Sequence, residues 1–263
     1  MKLSAKIERW LGKRLAATLP VPAARAMVVE LMDRDPDPVL SGVGRYLKFK
    51  RGDVDLDHMP FDLPAEGALG FEHLAGLFAS TTLDEAIVSM TIRQTAYLYG
   101  LVRQLKPEKV IEIGRYKGGS TLVIAAAMEG RGRLWSIDIR GAEIAHGLAR
   151  PVDAQIEDLC RRLGLEVVLI VGDSRTVELE TGEVDLVFID GDHSYDGARS
   201  DFERFGRRVR VGGSVLFDDA FDDGLLETPH TAGVSRVVEE VEKAGRFRLV
   251  KRVQKLAHLE RRS

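Results

Sequence analysis

The feature that most constrains the fold of this chain is an apolar run that breaks off abruptly into charged side chains. Residues 184–189 read Val-Asp-Leu-Val-Phe-Ile, and Asp190, Gly191, Asp192 and His193 follow at once. Near-continuous apolar runs are typical of parallel strands that are buried on both faces. In open α/β sheets, ligands bind beyond the carboxyl ends of such strands. The stretch therefore predicts a buried strand that ends at a polar site.

Strand-like and helix-like segments alternate along the chain from residue 109 onward. The predicted strands cover residues 109–114, 133–139, 166–171, 184–189 and 214–217, and two more, 247–253 and 256–261, form a closing hairpin. The predicted helices cover residues 121–128, 152–163, 194–209 and 233–244. This alternation predicts an α/β fold with a doubly wound, mostly parallel, seven-stranded sheet.

The N-terminal third has a different character, and we predict a domain boundary near residue 80. Residues 1–80 are interpreted as a helical and loop-rich cap or dimerisation segment, and residues 81–263 as the main domain. The apolar spacing of residues 1–19 predicts an amphipathic helix, which can make peripheral contact with a membrane or pack within the protein, including in a homodimer. The glycines and prolines of residues 41–70 predict loops that cover the site. No apolar run is long enough for a transmembrane helix.

Composition argues against several classes of protein. A formal net charge of −3 and a pI near 6.1 argue against a nucleic-acid-binding protein that relies on bulk positive charge. The single cysteine, Cys160, excludes an intramolecular disulfide and a cysteine-built zinc site, and its helical surroundings predict a buried thiol. A reducing cytoplasm is therefore the expected compartment.

Signals at three successive strand ends predict a pocket for an adenosine-bearing ligand. After the first strand, Gly114, Gly118 and Gly119 allow the backbone to approach a ligand closely. Their Gly-x-x-x-Gly-Gly spacing differs from the Gly-x-Gly-x-x-Gly of dinucleotide sites, which disfavours an NAD-dependent oxidoreductase. Asp138 ends the second strand, where a carboxylate can accept both ribose hydroxyls or cap a helix. Asp173-Ser174 ends the third strand and can bracket an adenine or cap the next turn.

Four carboxylates follow the fourth and fifth strands, namely Asp190, Asp192, Asp218 and Asp219. If these strands are neighbours, the carboxylates face one another and repel, so each needs a raised pKa or a cation. Oxygen ligands suit a hard cation such as Mg²⁺. The alternative is that Asp218 and Asp219 begin a surface acidic loop.

These residues resemble the class I S-adenosylmethionine (SAM)-dependent methyltransferases over about residues 91–261. Within that superfamily they are most similar to metal-dependent O-methyltransferases of the catechol and macrocin types. The resemblance implies a Rossmann-like methyltransferase fold, and the helical and loop-rich N-terminal extension lies outside the region that it covers. It implies SAM binding by residues at the first four strand ends: Glu112, Gly114, Gly118, Gly119, Ser120, Asp138, Asp173, Ser174 and Asp190. It also implies a Mg²⁺ site at Asp190, Asp218 and Asp219.

The resemblance leaves two candidates for the base that deprotonates the acceptor. His193 falls where the catechol type has a lysine, and Asp192 falls where the macrocin type has an acidic residue. The implied function is transfer of a methyl group from SAM to a hydroxyl of a small molecule, a sugar or a catechol-like diol, with Mg²⁺ activating the acceptor. The alternatives are a metal-independent methyltransferase with His193 as base, and a non-catalytic cofactor-binding protein.

Overall fold

The computed structural model describes residues 70–77, 87–139, 152–162, 164–221 and 231–263. The predicted N-terminal amphipathic helix and the predicted boundary near residue 80 lie outside these ranges, and so do the covering loops, except for Gly70. None of the helices in these ranges is long and apolar enough to cross a membrane.

Seven strands form a single sheet, as the sequence predicts. The strands are β1 (Lys109–Ile113), β2 (Arg133–Asp138), β3 (Val167–Val171), β4 (Val184–Ile189), β5 (Val209–Phe217), β6 (Phe247–Val253) and β7 (Leu256–Arg261). Their order is β3-β2-β1-β4-β5-β7-β6. The strands β1 to β5 are parallel to their neighbours, and β7 is antiparallel to both β5 and β6. Because the strand order reverses between β1 and β4, the carboxyl ends of these two strands border a crevice.

The helices pack on both faces of this sheet. They are α1 (Ile92–Leu105), α2 (Gly119–Met128), α3 (Val152–Arg162), α4 (Tyr195–Arg204) and α5 (Thr231–Lys243), with short 3-10 helices at Phe71–Leu77 and Gly206–Arg208. Helix α1 begins with a capping box, in which Thr91 and Gln94 exchange hydrogen bonds between side chain and backbone. The predicted doubly wound α/β fold is confirmed.

Burial on both faces explains the apolar run of β4. Leu186 and Phe188 belong to the core on the face covered by α1, α2 and α3. Val187 and Ile189 belong to the core on the opposite face, with residues of α4 and α5. All four side chains are at most 3% exposed. Because successive side chains of a strand point to opposite faces, a strand between two helical layers is apolar at nearly every position.

Two predicted boundaries around β5 are wrong. The helix predicted over residues 194–209 ends at Arg204, and the strand predicted from residue 214 begins at Val209. Val209 is fully buried and pairs in register with Val184, so backbone pairing with β4 extends the strand toward the N-terminus. The register between these two strands shifts after Val184, which accommodates the extra residues of β5.

A buried histidine joins α1 to the sheet. The Nδ1 atom of His258 on β7 lies 2.7 Å from the Tyr97 hydroxyl, and its Nε2 atom lies 2.8 Å from the Ser214 hydroxyl. Burial lowers the pKa of His258 to about 4. The imidazole is therefore neutral in the folded protein across the physiological pH range.

Acid should destabilise the protein through His258. In the unfolded chain, this histidine binds a proton once the pH of the solution falls below its ordinary pKa of 6.5. In the folded protein, it binds that proton only when the pH falls to about 4. The free energy of unfolding should fall between these values by about 3 kcal/mol from this residue. Urea denaturation across this range should show a shallower fall for His258→Gln than for the wild type. Parallel curves for the two proteins would contradict this account.

Candidate active site

A cavity of about 810 Å³ opens at the carboxyl ends of the parallel strands. Its wall is formed by the turn after β1, by residues that follow β2, β3, β4 and β5, by the start of α1, and by the β6–β7 turn. Polar side chains of the wall divide into two groups, one beyond β2 and β3 and the other beyond β4 and β5. They lie where the sequence predicts an adenosine pocket and an acidic cluster.

The turn between β1 and α2 is held against the end of β4 and against Asp138. Gly114 has a φ of +89°, and a Cβ atom there would lie 2.0 Å from the carbonyl oxygen of Asp190, so only glycine fits. The carboxylate of Asp138 accepts hydrogen bonds from the backbone N–H groups of Arg115 and Tyr116, each at 2.9 Å. Asp138 also lines the cavity, so it shapes the turn and faces the space where a ligand would lie.

Glu112 lies beneath this turn and is fully buried. Its carboxylate accepts hydrogen bonds from the hydroxyls of Ser120, Thr121 and Ser136, each at 2.5 Å. Burial raises the pKa of Glu112, and the three hydroxyl donors oppose that rise. Glu112 thus joins β1, β2 and the first turn of α2, and neither it nor Ser120 is part of the cavity wall.

The glycines at the start of α2 contact protein atoms. A Cβ atom on Gly118 would lie 2.2 Å from the Ile156 side chain, and one on Gly119 would lie 2.5 Å from the carbonyl oxygen of Ile87. Neither glycine is among the residues that line the cavity. The predicted cofactor contacts of Glu112, Gly118, Gly119 and Ser120 therefore stay predictions.

Asp173 and Ser174 line the cavity beyond β3, where the sequence predicts an adenine. Asp173 pairs with the guanidinium of Arg175 at 2.6 Å, and hydrogen bonds from Arg175 lower the pKa of Asp173 to about 2. The Ser174 hydroxyl donates a hydrogen bond of 2.6 Å to Asp201 on α4. Sequence analysis missed Asp201, although its spacing from the buried Ala198 places it on the inward face of that helix.

The structure brings Asp190, Asp218 and Asp219 to one end of the cavity, because β4 and β5 are neighbours. Burial, with the charges of Asp190 and Asp219, raises the pKa of Asp218 to about 8. Burial also raises the pKa of Asp190. Asp218 accepts a 2.9 Å hydrogen bond from the amide of Gln94, a residue buried at the start of α1. These carboxylates are thus part of the cavity wall and not of a surface loop.

Two basic side chains lie among these carboxylates. His193 lies between two of them, with Nε2 3.4 Å from Asp190 Oδ1 and Nδ1 3.2 Å from Asp219 Oδ2. Its hydrogen bond with Asp190 raises the pKa of His193, against the effect of burial. The Lys255 ammonium lies 3.2 Å from the other oxygen of Asp219. Asp192 is exposed, and its carboxylate accepts a 2.9 Å hydrogen bond from the backbone N–H of Ser194 at the start of α4.

Within the described ranges, no group of three or more His, Cys, Asp or Glu side chains is arranged to hold a metal ion. The carboxylates of the acidic cluster contact side chains of the protein instead, namely His193, Lys255 and Gln94. The prediction that Asp190, Asp218 and Asp219 bind Mg²⁺ therefore stays a prediction.

The fold and the position of the cavity define a class of protein. The seven-stranded, mostly parallel sheet with an antiparallel β7 is consistent with the Rossmann-like methyltransferase fold that the resemblance implies. Residues 111–220 match the family model described as "Methyltransferase domain". This match covers less than half of the chain, and it supports the similarity to the class I SAM-dependent methyltransferases that the motifs indicate.

Curated relatives and solved structures are similar to this chain. It is 25% identical over 131 residues to a caffeoyl-CoA O-methyltransferase of Stellaria longipes, covering 50% of this chain and 54% of that protein. It is 26% identical over 158 residues to a probable caffeoyl-CoA O-methyltransferase 2 of Dictyostelium discoideum, covering 58% and 65%. The matched region thus spans about half to two-thirds of these relatives' length.

The structural neighbours support the same fold. The SAH-bound methyltransferase PaMTH1 of Podospora anserina has a TM-score of 0.52 and 20% identity, covering 66% of this chain and 80% of that one. The O-methyltransferase TomG of Streptomyces achromogenes, in complex with SAM, has a TM-score of 0.51 and 20% identity, covering 66% and 82%.

Removing the carboxylate of Asp138 should weaken cofactor binding. Asp138→Ala deletes the acceptor for two backbone N–H groups of the turn and removes a side chain from the cavity wall. We expect the Kd for S-adenosylhomocysteine (SAH), measured by calorimetry, to rise roughly tenfold or more. The control is Asp158→Ala, which removes a carboxylate on α3 outside the cavity wall and should leave the Kd unchanged. Equal affinities in wild type and Asp138→Ala would show that Asp138 has no part in binding.

Proposed function

We propose that this protein transfers the methyl group of SAM to a hydroxyl oxygen of a small molecule. The observation that carries the proposal is the position of His193, which lies between two carboxylates at one end of the cavity. The other end holds Asp138, Asp173 and Ser174, the side chains suited to the ribose and the adenine of SAM. The O-methyltransferases among the relatives and neighbours support this proposal.

The two halves of the cavity have different chemical tasks. The sulfonium of SAM already activates its methyl group, so the protein has to orient the acceptor in line with the C–S bond and to remove a proton. The acceptor oxygen forms a bond to the methyl carbon, the C–S bond breaks, and neutral SAH leaves. The donor half holds the adenosine, and the acidic half holds the acceptor.

We assign His193 as the base that takes the hydroxyl proton. Its imidazole lies in the cavity wall, and its side chain is 29% exposed, so an acceptor can reach it. The imidazole accepts a proton in its neutral form, and the contact with Asp190 that raises its pKa makes it a stronger base. The carboxylate of Asp192 is instead engaged with the backbone of Ser194. This contact favours His193 over Asp192.

Asp190, Asp218 and Asp219 would hold a Mg²⁺ ion beside the acceptor. Three carboxylates at adjacent strand ends are the oxygen ligands that a hard cation prefers. The raised pKa values of Asp190 and Asp218 fit such a role, because a divalent cation would compensate their buried charge. When bound, the ion would lower the pKa of the acceptor hydroxyl. The donor set thus fits this cation in its chemistry.

The acceptor that we propose is a vicinal diol on a sugar or on a catechol-like ring. One hydroxyl of a diol can face His193 while its neighbour accepts a hydrogen bond from Lys255, since both side chains line this end of the cavity. A cytoplasmic location and a homodimer formed through residues 1–80 stay predictions.

Replacing the base should abolish turnover without loss of the cofactor. We expect His193→Gln to lower kcat roughly a hundredfold or more, because general base catalysis is lost, while its Kd for SAH stays within about threefold of the wild type. Asp192→Asn is the matched control, one residue away, and should retain activity. The reverse pattern, an inactive Asp192→Asn and an active His193→Gln, would assign the base to Asp192.

Metal dependence is tested by removing the metal ion, adding it back, and replacing one of its proposed ligands. We expect dialysis against EDTA to lower the activity and Mg²⁺ to restore it. Asp218→Asn keeps an acceptor for the Gln94 amide but loses a charge, so it should weaken Mn²⁺ binding measured by electron paramagnetic resonance and lower kcat roughly a hundredfold. Its SAH affinity should not change. Full activity in EDTA would contradict the metal assignment and favour the metal-independent enzyme with His193 as base.

A further inference from the structure

The adenine end of the cavity contains a carboxyl that the reaction itself does not use. Asp201 on α4 is only 2% exposed, yet it is among the residues that form the cavity wall. The hydroxyl of Ser174 donates a hydrogen bond of 2.6 Å to its Oδ1 atom. Burying a carboxyl group costs free energy unless the group is hydrogen-bonded. The hydrogen bonds that Asp201 can still accept therefore indicate what a ligand in this cavity has to donate.

The protons of this pair can be counted. A serine hydroxyl has one hydrogen, and an ionised carboxylate has none. Ser174 gives its only hydroxyl hydrogen to Asp201. The remaining lone pairs on both side chains can therefore only accept hydrogen bonds. Burial raises the pKa of Asp201 to about 6, and the charges of Asp192 and Asp173 contribute to that rise. At about pH 8 the group is therefore a carboxylate.

The neighbouring basic side chains donate their hydrogen bonds to other groups, although the charge of Arg175 acts on Asp201. The guanidinium of Arg175 donates to Asp173. The guanidinium of Arg204 donates to the backbone carbonyls of Ser174 and Val177, each at 2.9 Å. Arg204 thus fixes the backbone that carries the serine. A ligand that enters this end of the cavity meets the acceptor pair formed by Ser174 and Asp201.

We propose that Asp201, acting through Ser174, makes this end of the cavity select a 6-aminopurine over a 6-oxopurine. The exocyclic amino group of adenine donates hydrogen bonds, whereas the oxygen at the same position of hypoxanthine only accepts them. Two acceptors that face an oxygen would remain unpaired, which disfavours the 6-oxo ligand. Asp201 is thus a positioning residue for the cofactor base. The inference rests on one part of the proposed function, namely that the adenosine of SAM lies beyond β3, and not on methyl transfer.

The test compares two ligands that differ at this one position. SAH and S-inosyl-L-homocysteine are titrated into the full-length protein by calorimetry at about pH 8. We expect the wild type to bind SAH roughly tenfold or more tightly. In Asp201→Asn this preference should shrink toward onefold. If the amide oxygen accepts from Ser174, the amide NH₂ adds a donor to the pair; if the NH₂ group faces Ser174, the serine hydroxyl becomes free to donate. Asp196→Asn, an exposed position in the first turn of the same helix, is the control and should keep the wild-type preference.

A merely structural role for Asp201 predicts a different result. If Asp201→Asn weakens both ligands by the same factor, or if the wild type does not discriminate, the inference is wrong. Should Asp201→Asn not fold, Ser174→Ala provides the same test, because loss of one acceptor should reduce the preference for SAH. Discrimination without methyl transfer would overturn the proposed function and leave the inference standing. Binding of neither ligand would overturn both.

Discussion

Confinement of three carboxylates to the ends of two neighbouring strands is the physical constraint on which the site depends. Burial and mutual repulsion raise the pKa of Asp218 to about 8, so this arrangement opposes folding unless positive charge lies nearby. The Lys255 ammonium lies 3.2 Å from an oxygen of Asp219, and His193, which is positively charged when protonated, lies within 3.4 Å of oxygens of Asp190 and Asp219. The protonated imidazole can pair with the acids, and the neutral imidazole can receive a proton. In the function that we propose, the same side chains therefore serve folding and chemistry.

The donor half of the cavity is built differently, from backbone held in place by buried acids. Glu112 gathers three hydroxyls beneath the glycine turn, and Asp138 accepts two of the turn's backbone N–H groups. Gly114 allows this turn to touch the backbone at Asp190, so the two halves of the cavity share a contact at the end of β4. In the function that we propose, the sheet thus sets the distance between a bound methyl donor and His193.

Much of the fold and part of the site follow from the sequence. The apolar run of β4 predicts burial on both faces, and parallel topology brings Asp190 and Asp218 to one edge. Lys255 could not be found in this way, since it reaches the cavity from the β6–β7 turn and no local pattern marks it. The helical spacing of Asp201 from Ala198 marks an inward direction, but it does not show that the side chain is part of the cavity wall. The hydrogen bonds of Glu112 with three buried hydroxyls could not be predicted either, because strand periodicity does not show which buried polar groups will contact one another. Pairing with β4 likewise overrode the local signals that placed the start of β5 too late.

A crystal structure of the protein with SAH bound is the most direct test of this account. We predict the adenine beside Ser174 and Asp201, the ribose hydroxyls at Asp138, and the sulfur directed toward His193 and the acidic cluster. An SAH molecule bound in the reverse orientation, or a sulfur separated from His193 by the wall of the cavity, would contradict it.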